Sequence, residues 1–328
     1  MRITTKELAE ICGLSRTTVH RALHGTGRIK PETKEMILQV AKEHDYQPNL
    51  LARGLVKGKT YSIGVVILGV DNRYFSQVLD GILHEVNRNS YSANIMLHGM
   101  DKETEKNQIS RLASYRVDGI ILSSVNEGDE YIKFLKDLKI PIVTIDNRIA
   151  QGIPFVGIDN EKIMKRATNE VIKKEYERII FVCPPLQDKE IENIYVHEKR
   201  TQGFLSAVKK HPEIESLVID TWNYKKEALK LLNNSKNKTA FICTGDMIAL
   251  DMIEYLKDNG KHITKDYGIM GYDNIDFLRY LSPRLSTIDN CAQEVAEEAV
   301  SMLLDLMNQN ETDINRIIRS KLIKGETI

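Results

Sequence analysis

Arg16, Thr17, His20 and Arg21 lie on one side of a short helical stretch, roughly 16–23, whose other side carries Val19, Ala22 and Leu23. Guanidinium forks and hydroxyls at the start of a short helix are suited to hydrogen-bonding flat, polar edges in a groove. A preceding stretch, Thr4-Thr5-Lys6-Glu7, reads as a capping box in which Thr4 caps the helix and Glu7 reaches back to the Thr4 amide. Leu8, Ala9, Ile11 and Cys12 follow as its apolar face, and Gly13 is expected to stop it. Ser15 is a second N-cap. Pro31 opens a third helix at a tolerated first position, with Ile37, Val40 and Ala41 closing a small core. Two short helices joined by a glycine turn, the second starting with hydrogen-bonding residues, have the spacing of a helix-turn-helix.

A second set of chemistry-bearing residues lies far downstream. Asp71-Asn72-Arg73-Tyr74-Phe75, Asp146-Asn147-Arg148, Thr244-Gly245-Asp246 and Gly271-Tyr272-Asp273-Asn274 each follow a short apolar run. Arg200 sits in a His-Glu-Lys-Arg-Thr-Gln-Gly-Phe stretch, and Trp222 is the single tryptophan. Carboxylates and a guanidinium bond hydroxyls, and rings cover the C–H faces of a sugar. Taken singly, each is as well explained as a helix cap or a surface charge. Their recurrence at strand ends favours a ligand site.

The elements that position them follow from hydrophobic patterning. From Tyr61 onward, near-continuous apolar runs alternate with amphipathic helical stretches: 63–68, 94–97, 119–122, 141–145, 179–183, 217–219, 239–243 and 268–270. That pattern indicates parallel strands covered on both faces. Eight such runs are expected to form two Rossmann-like lobes, with ligands beyond the carboxyl ends of the strands. The patterning thus gives an all-α helix-turn-helix followed by an α/β body of two Rossmann-like lobes, and a resemblance of that body to the periplasmic binding proteins implies a sensor behind a hinge helix. The expected domains are 1–47, a hinge and linker over 48–60, and 61–328. The C-terminal 317–328 reads as short strands rather than a heptad helix, which favours a dimer over a tetramer.

Bulk composition agrees. The chain has 328 residues and a formal net charge of zero, yet residues 1–60 hold eleven Lys/Arg against six Asp/Glu. A basic head on an acidic body directs any polyanion to the head. Cys12, Cys183, Cys243 and Cys291 are far apart with no CxxC pair, so neither a metal site nor a disulfide framework is expected. No apolar run suggests a signal peptide or a membrane span, and a cytoplasmic location is expected. No GxGxxG or GxxxxGK[ST] follows any expected strand, and no catalytic triad spacing occurs, so no enzyme, cofactor or metal is expected.

Residues 3–68 resemble the lactose/galactose repressor (LacI/GalR) family. Thr4–Leu23, TTKELAEICGLSRTTVHRAL, resembles its helix-turn-helix, and Tyr46–Thr60, YQPNLLARGLVKGKT, resembles its hinge. His20 stands where the family usually has serine, and His24 where it usually has asparagine. The resemblance implies DNA contacts from Thr5, Ser15, Arg16, Thr17, Thr18, His20, Arg21, Asn49, Arg53 and Leu55. Leu55 holds the place of a leucine that enters the minor groove, in keeping with apolar wedges that kink DNA. In the body, the stretch from Gly268 to Asp289 and the Arg200–Phe204 stretch resemble the family's crossover and cleft segments. Asn72, Tyr74, Phe75, Asp146, Arg200, Trp222, Asp246, Asp273 and Asn290 fall on its effector-contacting places. Asn147 departs from the arginine that many relatives carry. The resemblance implies a homodimeric repressor whose partners are operator DNA and a small-molecule effector, a carbohydrate or a nucleoside. One branch of the family uses a phosphocarrier corepressor instead, and a plain sugar-binding protein is the remaining rival.

Overall fold

A computed structural model describes residues 3–46, 59–187 and 193–328. The hinge residues Asn49, Arg53 and Leu55 lie outside the described residues. Contacts divide the chain into two units that meet between Tyr61 and Ser62.

The first unit is three helices: α1 (Thr5–Ile11), α2 (Arg16–His24) and α3 (Pro31–Glu43). The capping box forms, with Glu7 N–H donating to Thr4 Oγ1 and Thr4 N–H donating to the Glu7 carboxylate. Ser15 caps α2 by accepting from the Thr18 amide, and Gly13 takes a left-handed φ of 64° after α1. Leu8, Ala9, Val19, Ala22, Ile37 and Ala41 make the core. Ile11 does not join it; at 48% exposure it looks outward, because α1 is only two turns long and its inner face is filled by Leu8 and Ala9.

The second unit carries two parallel sheets. The first has the order β11-β5-β4-β3-β1-β2, from β1 (Ser62–Ile67), β2 (Ser92–Leu97), β3 (Gly119–Leu122), β4 (Ile142–Ile145), β5 (Phe155–Ile158) and β11 (Asn315–Ile318). The other has the order β7-β6-β8-β9, from β6 (Arg178–Cys183), β7 (Glu215–Asp220), β8 (Thr239–Cys243) and β9 (Tyr267–Met270). A short antiparallel pair joins β10 (Thr287–Asp289) to β12 (Lys321–Ile323).

Helices cover the sheets: α4 (Arg73–Arg88), α5 (Lys102–Ser114), α6 (Asp129–Asp137) and α11 (Ala292–Met307) on the first, and α7 (Asn160–Ile172), α8 (Tyr195–Val208), α9 (Tyr224–Asn233) and α10 (Asp246–Asp258) on the second. All eight expected strands are present, and β5 and β10 are additional. Both additions lie where the chain changes sheet: after β5 it enters α7, after β10 it enters α11, and after β11 it returns to β12. The first lobe is thus closed by a C-terminal strand, β11, paired in parallel with β5. Long-range pairing of this kind leaves no local pattern in three or four residues.

Candidate effector cleft and DNA-reading face

The parallel strands of both sheets end on the same cavity, about 240 Å³, lined from both lobes. From the first lobe come Asn72, Tyr74, Phe75, Ser123 and Asp146; from the second come Arg200, Trp222, Thr244, Asp273 and Asn290.

Asn72 caps α4 by accepting from the Tyr74 amide at 3.0 Å. That cap fixes the first turn, and the turn delivers the buried Tyr74 and Phe75 rings, packed edge-on at 5.3 Å. Asp146 ends β4 with a left-handed φ of 62°, a conformation that aspartate tolerates better than most residues. Burial pushes its carboxyl above the usual range, opposed by the Arg200 guanidinium and by a hydrogen bond with the Ser123 side chain.

Arg200 is buried and held on three sides. Nε donates to Asn160 Oδ1 at 2.9 Å, Nη1 donates to the Thr244 carbonyl at 2.5 Å, and the guanidinium stacks on Tyr272, 3.6 Å from the ring centroid. Its helix can come this close because α8 carries Gly203, where a Cβ would lie 2.3 Å from the Glu161 carbonyl of α7. Tyr272 in turn donates to Asn160 Oδ1 at 2.8 Å. The guanidinium is therefore fixed before any ligand arrives.

Asp273 is buried, with φ 117°, and accepts from Asn290 Nδ2 at 3.0 Å. Burial pushes its carboxyl well up, with Arg200 opposing and Asp246 reinforcing. Trp222 stays 58% exposed and edges the cavity.

Asp246 is not among the lining residues, which corrects its expected place in the cleft. It is fully buried; Oδ1 accepts from the Thr287 hydroxyl at 2.6 Å and Oδ2 from the Ile275 amide at 3.0 Å. Gly271 is bare beside it, since a Cβ there would fall 2.1 Å from Asp246 Oδ1. Burial pushes this carboxyl up to about 7. Asp246 ties the turn carrying Asp273 to β10, and so supports the cleft without facing it.

Asn147 and Arg148 also resolve. Asn147 donates to the Ser124 and Asn193 carbonyls at 3.3 and 2.9 Å and accepts from the Val196 amide at 3.2 Å, so it joins the lobes. Arg148 turns away, stacking on Phe155 at 4.5 Å and donating to Asn315. It does not replace the missing arginine.

Several lining residues escaped the sequence reading: His98, Ser123 and His197. His197 Nδ1 lies 3.1 Å from Thr244 Oγ1, and burial, with Arg200 adding to it, pushes its imidazole down to about 3. It is neutral at physiological pH and offers the cavity no charge. Its signal was available: His197 lies three residues before Arg200, on the same face of one helix.

On the head, Arg16, Thr17, His20 and Arg21 are exposed along α2. The Ser15 and Thr18 hydroxyls are 2.8 Å apart at the cap, and Thr5 Oγ1 is 2.8 Å from the Tyr46 phenol. Those three hydroxyls fix the helices, whereas the arginines project. Changing Arg16 to alanine is expected to alter sequence preference, with about 1–3 kcal/mol of discrimination lost at one base pair. Selection from randomised DNA sites checks this; equal weakening at every sequence would make Arg16 a phosphate contact.

Among the described residues no group of three or more His, Cys, Asp or Glu side chains is placed to hold a metal ion, and no helix is long and apolar enough to cross a membrane.

Comparison with known proteins agrees with this architecture. Residues 4–49 match the profile of bacterial regulatory proteins of the lacI family, and residues 168–328 match that of the periplasmic binding protein-like domain. Catabolite control protein A of Priestia megaterium is 28% identical over 95% of each chain. The lac repressor dimer bound to operator and an anti-inducer superimposes with a TM-score of 0.87 at 20% identity, covering 100% of this chain and 99% of that one. A periplasmic binding protein/LacI transcriptional regulator from Alkaliphilus metalliredigens, complexed with D-xylulofuranose, is 26% identical with a TM-score of 0.70, covering 81% and 98%. The chain thus carries a match to the lacI-family regulatory domain over residues 4–49 and to the periplasmic binding protein-like domain over residues 168–328, and along its length it resembles DNA-binding transcriptional regulators.

Proposed function

We propose that the chain is a repressor whose grip on operator DNA is set by a small polyhydroxylated effector, a sugar or a nucleoside, bound in the cleft. The carrying observation is the cavity itself: Asp146 from one lobe faces Arg200 and Asp273 from the other, with the Tyr74 and Phe75 rings on its wall. A hydroxylated ring bridging these groups binds the closed arrangement better than the open one and shifts the population toward it. The sugar-bound relative from Alkaliphilus supports the ligand class. The proposed effector contacts are Asn72, Tyr74, Phe75, Asp146, Arg200, Trp222, Asp273 and Asn290. Arg16, Thr17, His20 and Arg21 read bases, with Thr5, Ser15 and Thr18 as further DNA contacts beside their capping role; Asn49, Arg53 and Leu55 belong to the hinge. The domains divide at 1–47, 48–60 and 61–328.

The repressor works as a homodimer in the cytoplasm. Strand β2 lies at the sheet edge and exposes Ile95 and Leu97, apolar surface that a second copy would cover.

The test is operator binding by the full chain, measured by electrophoretic mobility against panels of pentoses, hexoses, disaccharides and nucleosides. One class is expected to release or strengthen the complex. Indifference to every panel, with a response to a phosphocarrier protein alone, would replace this reading with protein corepression.

A further inference from the structure

Below the cleft, the first lobe buries an acid that the effector site does not use. Glu105, on α5, is fully buried. Its Oε1 accepts from Ser124 Oγ at 2.8 Å, from Asn126 Nδ2 at 2.9 Å and from the Tyr131 phenol; its Oε2 accepts from the Val125 amide at 2.7 Å. Three of these four donors belong to the loop 123–126 that follows β3, and Ser123, Ser124 and Val125 line the cavity. His98 braces the same loop: its Nε2 donates to the Ser123 carbonyl at 3.0 Å while Nδ1 accepts from the Met100 amide at 3.3 Å.

The loop's other side is joined to the opposite lobe. The Asn193 amide donates to the Val125 carbonyl at 2.8 Å, and Asn147 Nδ2 reaches the Ser124 carbonyl. Asn193 Oδ1 then accepts from the Tyr195 amide at 3.1 Å, at the first turn of the helix bearing His197 and Arg200.

We propose that Glu105 is the positioning residue of the cleft floor: its buried carboxylate fixes the Ser123–Asn126 loop and, through that loop, the start of the helix that presents Arg200. Every group facing the carboxylate is a donor, which suits an acceptor-only anion. A glutamine of the same shape would turn an N–H₂ toward at least one donor and lose that bond. A purely local stabilising role would end within the first lobe. The hydrogen bonds here continue across the cleft to Asn193. The consequence for effector binding rests on the reading of the cleft given above; the positioning itself is testable without any effector.

The experiment is amide hydrogen exchange on the full-length protein, comparing the parent with Glu105→Gln and Tyr131→Phe. In Glu105→Gln, exchange is expected to speed up on the order of tenfold or more at the Val125 and Asn193 amides, with β3 and β4 protected as in the parent. Tyr131→Phe removes one donor and keeps the carboxylate, so a smaller increase at the same two amides is expected. Parent-like exchange at Asn193 in both variants would overturn the proposal, and so would a uniform rise across the first lobe. If Glu105→Gln does not fold, Tyr131→Phe decides on the Asn193 amide alone.

Discussion

Asp273→Asn is expected to yield a folded protein that still holds its operator and no longer answers its effector. The asparagine keeps an oxygen for Asn290 Nδ2, which now donates to Asp273 Oδ1 at 3.0 Å. It also tolerates the left-handed φ of 117°, where alanine would be strained. What it loses is the carboxylate that can accept two ligand hydroxyls. A hydrogen bond to a charged group contributes about 1.5–3 kcal/mol, so the effector dose response should move by roughly ten- to a hundredfold. Operator titration with increasing effector reads this shift. An unchanged response would take Asp273 out of the site. A large fall in melting temperature would instead make Asp273 a turn-holding residue. Asp246→Ala supplies the contrast: with the Thr287 hydroxyl and the Ile275 amide left unpartnered in the interior, its expected effect is on stability, about 1–3 kcal/mol per orphaned group.

The largest effect on DNA is expected at the hinge. The 49–56 stretch is too short to be a stable helix alone, and Gly54 lowers its propensity further. Leu51, Ala52 and Leu55 form an apolar stripe by spacing, and a second hinge from a dimer partner would give it something to pack on. DNA should therefore order the segment, with Leu55 wedged into a central pyrimidine–purine step. Leu55→Ala is expected to fold, keep its dimer and its effector affinity, lose most operator affinity and DNA bending, and retain non-specific, salt-dependent binding. Electrophoretic bending assays on operators with altered central steps measure this. Parent-like bending and binding would make the linker a passive tether.

Local chemistry was legible in the sequence because it acts over a few residues. The Thr4–Glu7 capping box, the Ser15 cap, the glycine stop at Gly13 and proline at the start of α3 each operate within one turn, and each formed as read. Buried parallel strands were equally plain, since a strand covered on both faces has no polar side to disguise it. The strand-end rule also brought Asp146 and Asp273 to one cavity, because parallel sheets send their loops to one edge.

Tertiary structure decided what depends on partners distant in sequence. Strands β5 and β10 are short, and they are strands because β4 and β11, or β12, lie beside them. Asp246 and Asp273 look alike in sequence, each a carboxylate just after a strand. The first is turned inward by Thr287 and Ile275, and the second outward to the cavity. Glu105 had a faint signature, since it shares the 105, 109, 112 stripe with Ile109 and Leu112, an acid at helical spacing among core residues. That spacing says the acid is buried. Only the fold shows that three of its four donors come from the cleft floor, because a buried charge is explained by what surrounds it and nothing nearby in the chain supplies those groups.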